Sequence, residues 1–151
     1  LPDRGNSTPI VWGDQIFVTQ AVEQDHFRGV MSFDARTGKH LWTKGTTFDR
    51  EEPTHGDNPY CAASPVTDGK TVVATHGSAG VFAYDFAGQE LWRRDLGPQV
   101  HIWGNASSPV ILGGRVFIYH GPGTNSAFYA LNLKNGETIW RVALPEPVPG
   151  E

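Results

Sequence analysis

A single cysteine, Cys61, leaves this chain of 151 residues with no internal disulfide and no cysteine-based metal cluster, without fixing its compartment. There is no basic run either. Twelve Lys and Arg against sixteen Asp and Glu give a net charge of −4, which serves ordinary solubility and argues against a nucleic-acid footprint. Signal peptide, membrane span and helical periodicity are all missing. The chain opens at Leu1 without an initiator Met and closes on a proline-rich stretch from Leu144 to Glu151 that reads as a connector. The expectation is a portion of a longer protein, so the absent targeting segment decides nothing.

What is abundant is glycine (18), proline (11) and aromatic rings (five Trp, four Tyr, eight Phe), a mixture that suits short strands joined by tight turns. These residues recur in order. Ser7-Thr8-Pro9-Ile10-Val11 leads to Trp42, Ala63-Ser64-Pro65-Val66-Thr67 to Trp92, and Ser107-Ser108-Pro109-Val110-Ile111 to Trp140. Pro9 to Phe17, Pro65 to Val73 and Pro109 to Phe117 each span eight residues, and Gly38, Gly88 and Gly136 each precede their Trp by four. A tandem with this period implies sheet modules, none of which can bury its apolar face without a neighbour.

Alternation and turn residues give four strands per copy. In the third copy these are Pro109 to Leu112, Arg115 to His120, Ala127 to Leu131 and Glu137 to Val142, broken by Gly113-Gly114 and by Asn132 to Gly136. The other copies place Gly13-Asp14, Asp34 to Gly38, Asp68-Gly69 and Asp85 to Gly88 at the same breaks. Glycine accepts positive φ there, and Asp or Asn bonds nearby backbone. Each copy is therefore predicted to be a four-stranded antiparallel meander, over about 6–46, 60–96 and 104–144. Large and small residues alternate, as in Val81-Phe82-Ala83-Tyr84, which fits twisted sheets packed face to face, and twist favours radial closure into an all-β propeller. Trp42, Trp92 and Trp140 are expected to pack between modules.

The unit Ser-Ser-Pro-Val, then Gly-Arg-Val-Phe-Ile, Tyr-Ala-Leu-Asn and Gly-Glu-x-x-Trp, resembles the tryptophan-docking repeat of the pyrroloquinoline-quinone-like β-propellers. That family includes quinoprotein alcohol dehydrogenases and an outer-membrane assembly lipoprotein. The resemblance covers nearly the whole chain and implies about three blades of a larger ring of seven or eight. It implies a periplasmic or extracellular protein. For catalytic members it also implies adjacent cysteines over the quinone and a Glu, Asn and Asp set for calcium, and no such set stands in these residues.

Loop lengths point to the variable end. The third-to-fourth-strand turns hardly change, whereas Trp42 to Pro65 is 23 residues and Trp92 to Pro109 is 17. In an up-and-down meander these connectors emerge beside the second-to-third loops, so that rim is the expected site. His26, His55, His76, His101 and His120 map there, and only His40 to the other end. His76 and His120 close equivalent strands and are expected to face alike. Imidazole is the commonest neutral metal ligand, so these two with His55 or His101 are candidates to converge on a metal or an anionic small molecule, oriented by Asp57. Tyr60, Trp103 and Asn105 are candidates for a sugar or peptide pocket. The opposing expectation is that these groups bond loop backbone or face solvent separately.

The leading functional reading is a non-catalytic propeller that binds a protein, carbohydrate or small ligand through the long-loop rim, with no nucleic acid and no membrane span, and without a firmly predicted cofactor. The alternative is part of a quinone- or metal-dependent oxidoreductase, with PQQ and calcium held by blades elsewhere. A third arrangement has two copies closing a six-bladed ring, which would bury both exposed blade faces.

Overall fold

The computed structural model describes residues 1–123 and 125–145; from position 146 on, the expected connector lies outside the described residues. Among the described residues the chain forms three four-stranded antiparallel sheets and no closed one. The first holds β1 (Ile10–Trp12), β2 (Gln15–Val22), β3 (Phe27–Asp34) and β4 (His40–Thr47). The second holds β5 (Val66–Thr67), β6 (Thr71–Thr75), β7 (Val81–Asp85) and β8 (Glu90–Arg94). The third holds β9 (Val110–Leu112), β10 (Arg115–His120), β11 (Ala127–Asn132) and β12 (Thr138–Ala143). Within each sheet the spatial order is the chain order, so every sheet is a meander, as the turn residues predict.

The turns into the fourth strands show why Asp or Asn and Gly recur. Asp34 Oδ1 accepts from the N–H groups of Arg36 and Thr37 at 3.0 and 2.8 Å and from the Thr37 hydroxyl at 2.7 Å. These bonds hold its carboxyl below the usual range. Gly38, Gly88 and Gly136 close the three turns at φ of +70°, +84° and +72°, where a Cβ is strained. Just beyond, the register of each third and fourth strand slips by one residue, and the tryptophans sit opposite small residues: Ser32 faces Trp42, Ala83 faces Trp92 and Ala130 faces Trp140. The irregularity re-aims the indole, and the small partner leaves room for it.

The indoles reach the next sheet. Trp42 donates its N–H to the Phe86 carbonyl at 2.9 Å, and Trp92 donates to the Leu133 carbonyl at 2.8 Å. Each therefore lands on the third-to-fourth turn of the following sheet. A Cβ on Gly88 would stand 2.9 Å from the Trp42 ring, and one on Gly136 2.6 Å from Trp92. Glycine is thus required there twice over, for its dihedral and for the ring above it. Around each wedge lies an apolar junction. Phe17 and Val30 meet Val72, Ala74, Phe82 and Tyr84 in the first. In the second, Val73, Val81 and Ala83 meet Val116, Ile118, Ala127 and Leu131.

A smaller tie repeats at the inner edge, where β1, β5 and β9 lie side by side. The hydroxyl preceding each proline accepts the backbone N–H of its counterpart one sheet earlier: Thr8 to Ser64 Oγ at 2.8 Å, and Ser64 to Ser108 Oγ at 2.9 Å. The outer faces carry the same parts unmated. Trp140 is 40% exposed where Trp92 is 7%, and Val110, Leu112, Phe128 and Val142 are exposed beside it. On the opposite face, no atom lies within 4 Å of a Cβ built on Gly38.

Truncating a buried indole removes both packing and its hydrogen bond, so Trp92→Ala should lower unfolding free energy by about 3–5 kcal/mol. The exposed rim residue Trp103 should cost under about 1 kcal/mol when changed to Ala. Urea denaturation of the two variants checks this, and equal losses would refute the wedge.

Candidate functional site

The second-to-third loops carry single 3₁₀ turns at Glu23–Asp25 and Gly77–Ala79. The two connectors cross beside them, and hydrogen bonds tie the segments into one end of the molecule. Asn58 donates to the Trp103 carbonyl and Gln99 to the Gly121 carbonyl through their side-chain amides. The Gln99 N–H reaches Ser78 Oγ at 2.6 Å, and Asn125 donates to the Pro98 carbonyl at 3.2 Å. Long loops ordered in this way act as a surface rather than as tethers.

Arg28, near the start of β3, sits at the centre. Its side chain is 6% exposed, and its guanidinium lies over Tyr60 on one side and Phe48 on another, at 4.0 and 4.5 Å from the ring centroids. Nη1 donates to Glu52 Oε2 at 3.4 Å and to the His76 carbonyl at 3.3 Å. Desolvation pulls the guanidinium down from its ordinary pKa, and Glu52 opposes that shift. The Tyr60 hydroxyl donates to the Glu52 carbonyl at 2.5 Å, so the phenol that stacks on Arg28 also fixes the backbone bearing its counter-ion.

Arg28, Glu52 and Tyr60 separate two spaces. Outside lies a groove of about 340 Å³, reached also by His26, Arg50 and Phe48. Inside lies a cavity of about 20 Å³ against Thr75, His76, Gln99 and Asn105, room for one water. Both ring nitrogens of His76 and the Thr75 hydroxyl are enclosed without a hydrogen-bond partner. Burial pushes the His76 imidazole down to about 3, and the Arg28 charge adds to the shift. Burial also lowers His120; the backbone of Gly97 and Pro98 raises it in part from outside hydrogen-bonding geometry.

The residues read from sequence fall into three groups. Tyr60, His76 and Asn105 line the inner cavity. His55, Asp57, His101 and Trp103 lie on the exposed crest: His55 stacks on Trp103 at 4.7 Å between centroids and pairs with Asp57 at 3.6 Å, while His101 Nδ1 accepts the Trp103 N–H at 3.2 Å. His120 stands apart, buried one junction further on against Tyr129. The expected convergence of His76 and His120 is therefore corrected. Equivalent side chains in successive sheets face equivalent junctions, which keeps them a sheet apart. Among the described residues no group of three His, Cys, Asp or Glu is placed to hold one ion.

Arg28 and Gln20 escaped the sequence reading, whereas Glu52 and Gln99 fall in the two connectors that it assigns to the rim. Gln20 was accessible to it, because it lies eleven residues after Pro9 as His76 follows Pro65 and His120 follows Pro109. All three are buried polar groups.

A family profile described as outer membrane protein assembly factor BamB matches residues 26–149. The chain belongs to this family. As a BamB-family, PQQ-like β-propeller it is similar in fold to the quinohemoprotein alcohol dehydrogenase of Comamonas testosteroni, with TM-score 0.73 and 21% identity over 97% of this chain and 22% of that one. It is also similar to a europium-containing methanol dehydrogenase, at TM-score 0.69 and 15% identity over 95% of this chain and 25% of that one. For BamB from Moraxella catarrhalis the TM-score is 0.60 and the identity 15%, over 97% of this chain and 41% of that one. The chain thus spans from about a fifth to two-fifths of these structures. No protein of curated function matches it.

The dehydrogenase branch of such propellers implies a quinone with calcium, and the residues present do not fit them. Cys61 is the one cysteine, buried between Tyr60 and Ala62, so it cannot form an adjacent pair. The carboxylate nearest the inner cavity, Glu52, is engaged by the Arg28 cation.

The depressed His76 pKa has a thermodynamic consequence. The native imidazole stays neutral down to about pH 3, while the unfolded one takes up a proton below about 6.5. Stability from this group is complete above pH 6.5 and declines, by up to about 1.4 kcal/mol per unit, as pH falls toward 3. His76→Gln, which installs the residue the first sheet uses at the same place, should flatten urea-derived stability between pH 6 and 4 by about one proton. Equal slopes for wild type and variant would contradict the buried neutral state.

Proposed function

We propose that this chain is part of a non-catalytic propeller that binds a partner through the long-loop rim, in the periplasm or outside the cell. The observation that carries the reading is the contrast between the two ends. At one end stand three near-identical short turns, two of which receive the indole wedges. At the other, connectors of unequal length are held rigid around Arg28 and present apolar side chains to solvent: Ile102 is 66% exposed and Trp103 53%. Exposed aromatic and aliphatic groups on an ordered loop are the usual anchors of recognition. The family description, an outer-membrane assembly factor, supports both a binding role and a location outside the cytoplasm.

A photo-crosslinking residue placed at Ile102 or His101 of the full chain in its native cell should give discrete adducts. The same residue at Ala35 or Lys134, on the turn end, should give none. Adducts of equal yield at both ends would overturn the rim as the binding surface.

A further inference from the structure

Resting on the rim-binding reading, we infer that the outer groove beside Arg28 is a saccharide site, recognising a neutral sugar through a vicinal diol. Three independent features meet there. The first is the groove itself, about 340 Å³, within the range of small-molecule sites. The second is Arg28. With rings over its guanidinium, only its in-plane edges remain available, and among the described residues Nη1 alone makes hydrogen bonds; none is made by Nε or Nη2. Neither of those two nitrogens is among the enclosed, unpartnered atoms of the molecule. The third is His26, the one non-glycine residue at positive φ among those described, at +51°. Its carbonyl accepts the Phe48 N–H at 2.8 Å, which fixes the strained loop against the groove wall.

The chemistry of the lining selects the ligand. Arg28 and Arg50 supply two positive charges and Glu23, Glu51 and Glu52 three negative ones, a balance of −1 among these five groups. A phosphate or other dianion meets three carboxylates, and a cationic group meets two guanidiniums. An apolar ligand would strip water from all of them without replacing its hydrogen bonds. Each hydroxyl donates one proton and accepts through its lone pairs. Two adjacent hydroxyls can therefore meet the free guanidinium edge and the neighbouring Glu52 carboxylate together, one accepting and one donating. Arg28 is already immobilised by Phe48, Tyr60 and Glu52, so little side-chain freedom remains to be lost on binding.

The test titrates the full chain by calorimetry with maltose and cellobiose as neutral saccharides, and with glucuronate, glucosamine and trilysine as charged probes. Saturable binding of a neutral saccharide, ahead of all three charged probes, is expected. Arg28→Lys keeps the charge but loses the planar fork and should weaken it at least tenfold. His26→Gly suits the left-handed backbone, so it should fold, and it should weaken binding several-fold. Should Arg28→Lys fail to fold, His26→Gly decides the matter. Absence of saturation by either neutral sugar, preference for a charged probe, or undiminished affinity in a folded variant would overturn the saccharide site. Rim crosslinks that persist without sugar binding would sink this inference and leave the rim reading standing.

Discussion

An indole wedged onto a glycine of the next sheet is the contact from which the rest of this structure follows. Trp42 and Trp92 each leave a fourth strand, cross to the neighbouring sheet and donate to a carbonyl in its last turn. The ring occupies the volume a side chain on Gly88 or Gly136 would need, and the dihedral there is one that only glycine adopts without strain. Because the geometry repeats, it fixes the step from sheet to sheet. The inner-edge bonds from Thr8 to Ser64 and from Ser64 to Ser108 impose the same step at the other side of each sheet.

That fixed step decides what the rim can hold. With the turn ends committed to the wedges, the connectors converge at the opposite end, and the first junction receives side chains from two sheets and both connectors. Arg28 belongs to the first sheet, His76 to the second, Glu52 and Tyr60 to one connector, and Gln99 and Asn105 to the other. A buried guanidinium and a buried neutral imidazole are each costly to desolvate. Here aromatic faces, a carboxylate and a backbone carbonyl hold the first, while the second faces a cavity of one water's size. Displacing one sheet against the next would break several of these contacts at once.

Much of this was legible in the sequence because the repeated parts are side chains. Tryptophan four residues after glycine, hydroxyl before proline and Asp or Asn opening the turn all recur, and recurrence exposes them. Their partners were hidden because they are backbone: nothing in Phe86 or Leu133 announces that its carbonyl receives an indole. Arg28 was hidden for the opposite reason, being unrepeated. Its equivalents in the other sheets carry no charge, and the readable hint was a lone cation between Phe27 and Gly29, just ahead of the apolar pair Val30-Met31. The histidine expectation went astray on geometry. Like positions in successive repeats share a direction, but the rotation from sheet to sheet sends them to separate junctions.

The coupling between wedge and glycine tests this account most directly, through a double-mutant cycle on Trp92→Ala and Gly136→Ala followed by urea unfolding. With the indole present, an added methyl meets both an unfavourable dihedral and the ring 2.6 Å away; with the indole gone, the dihedral remains together with the stem of Arg94, whose Cγ at 3.0 Å belongs to a flexible side chain that can give way. The account predicts that Gly136→Ala costs at least about 1 kcal/mol less in the Trp92→Ala background, within the range for residues in contact. An equal cost in both backgrounds would contradict it.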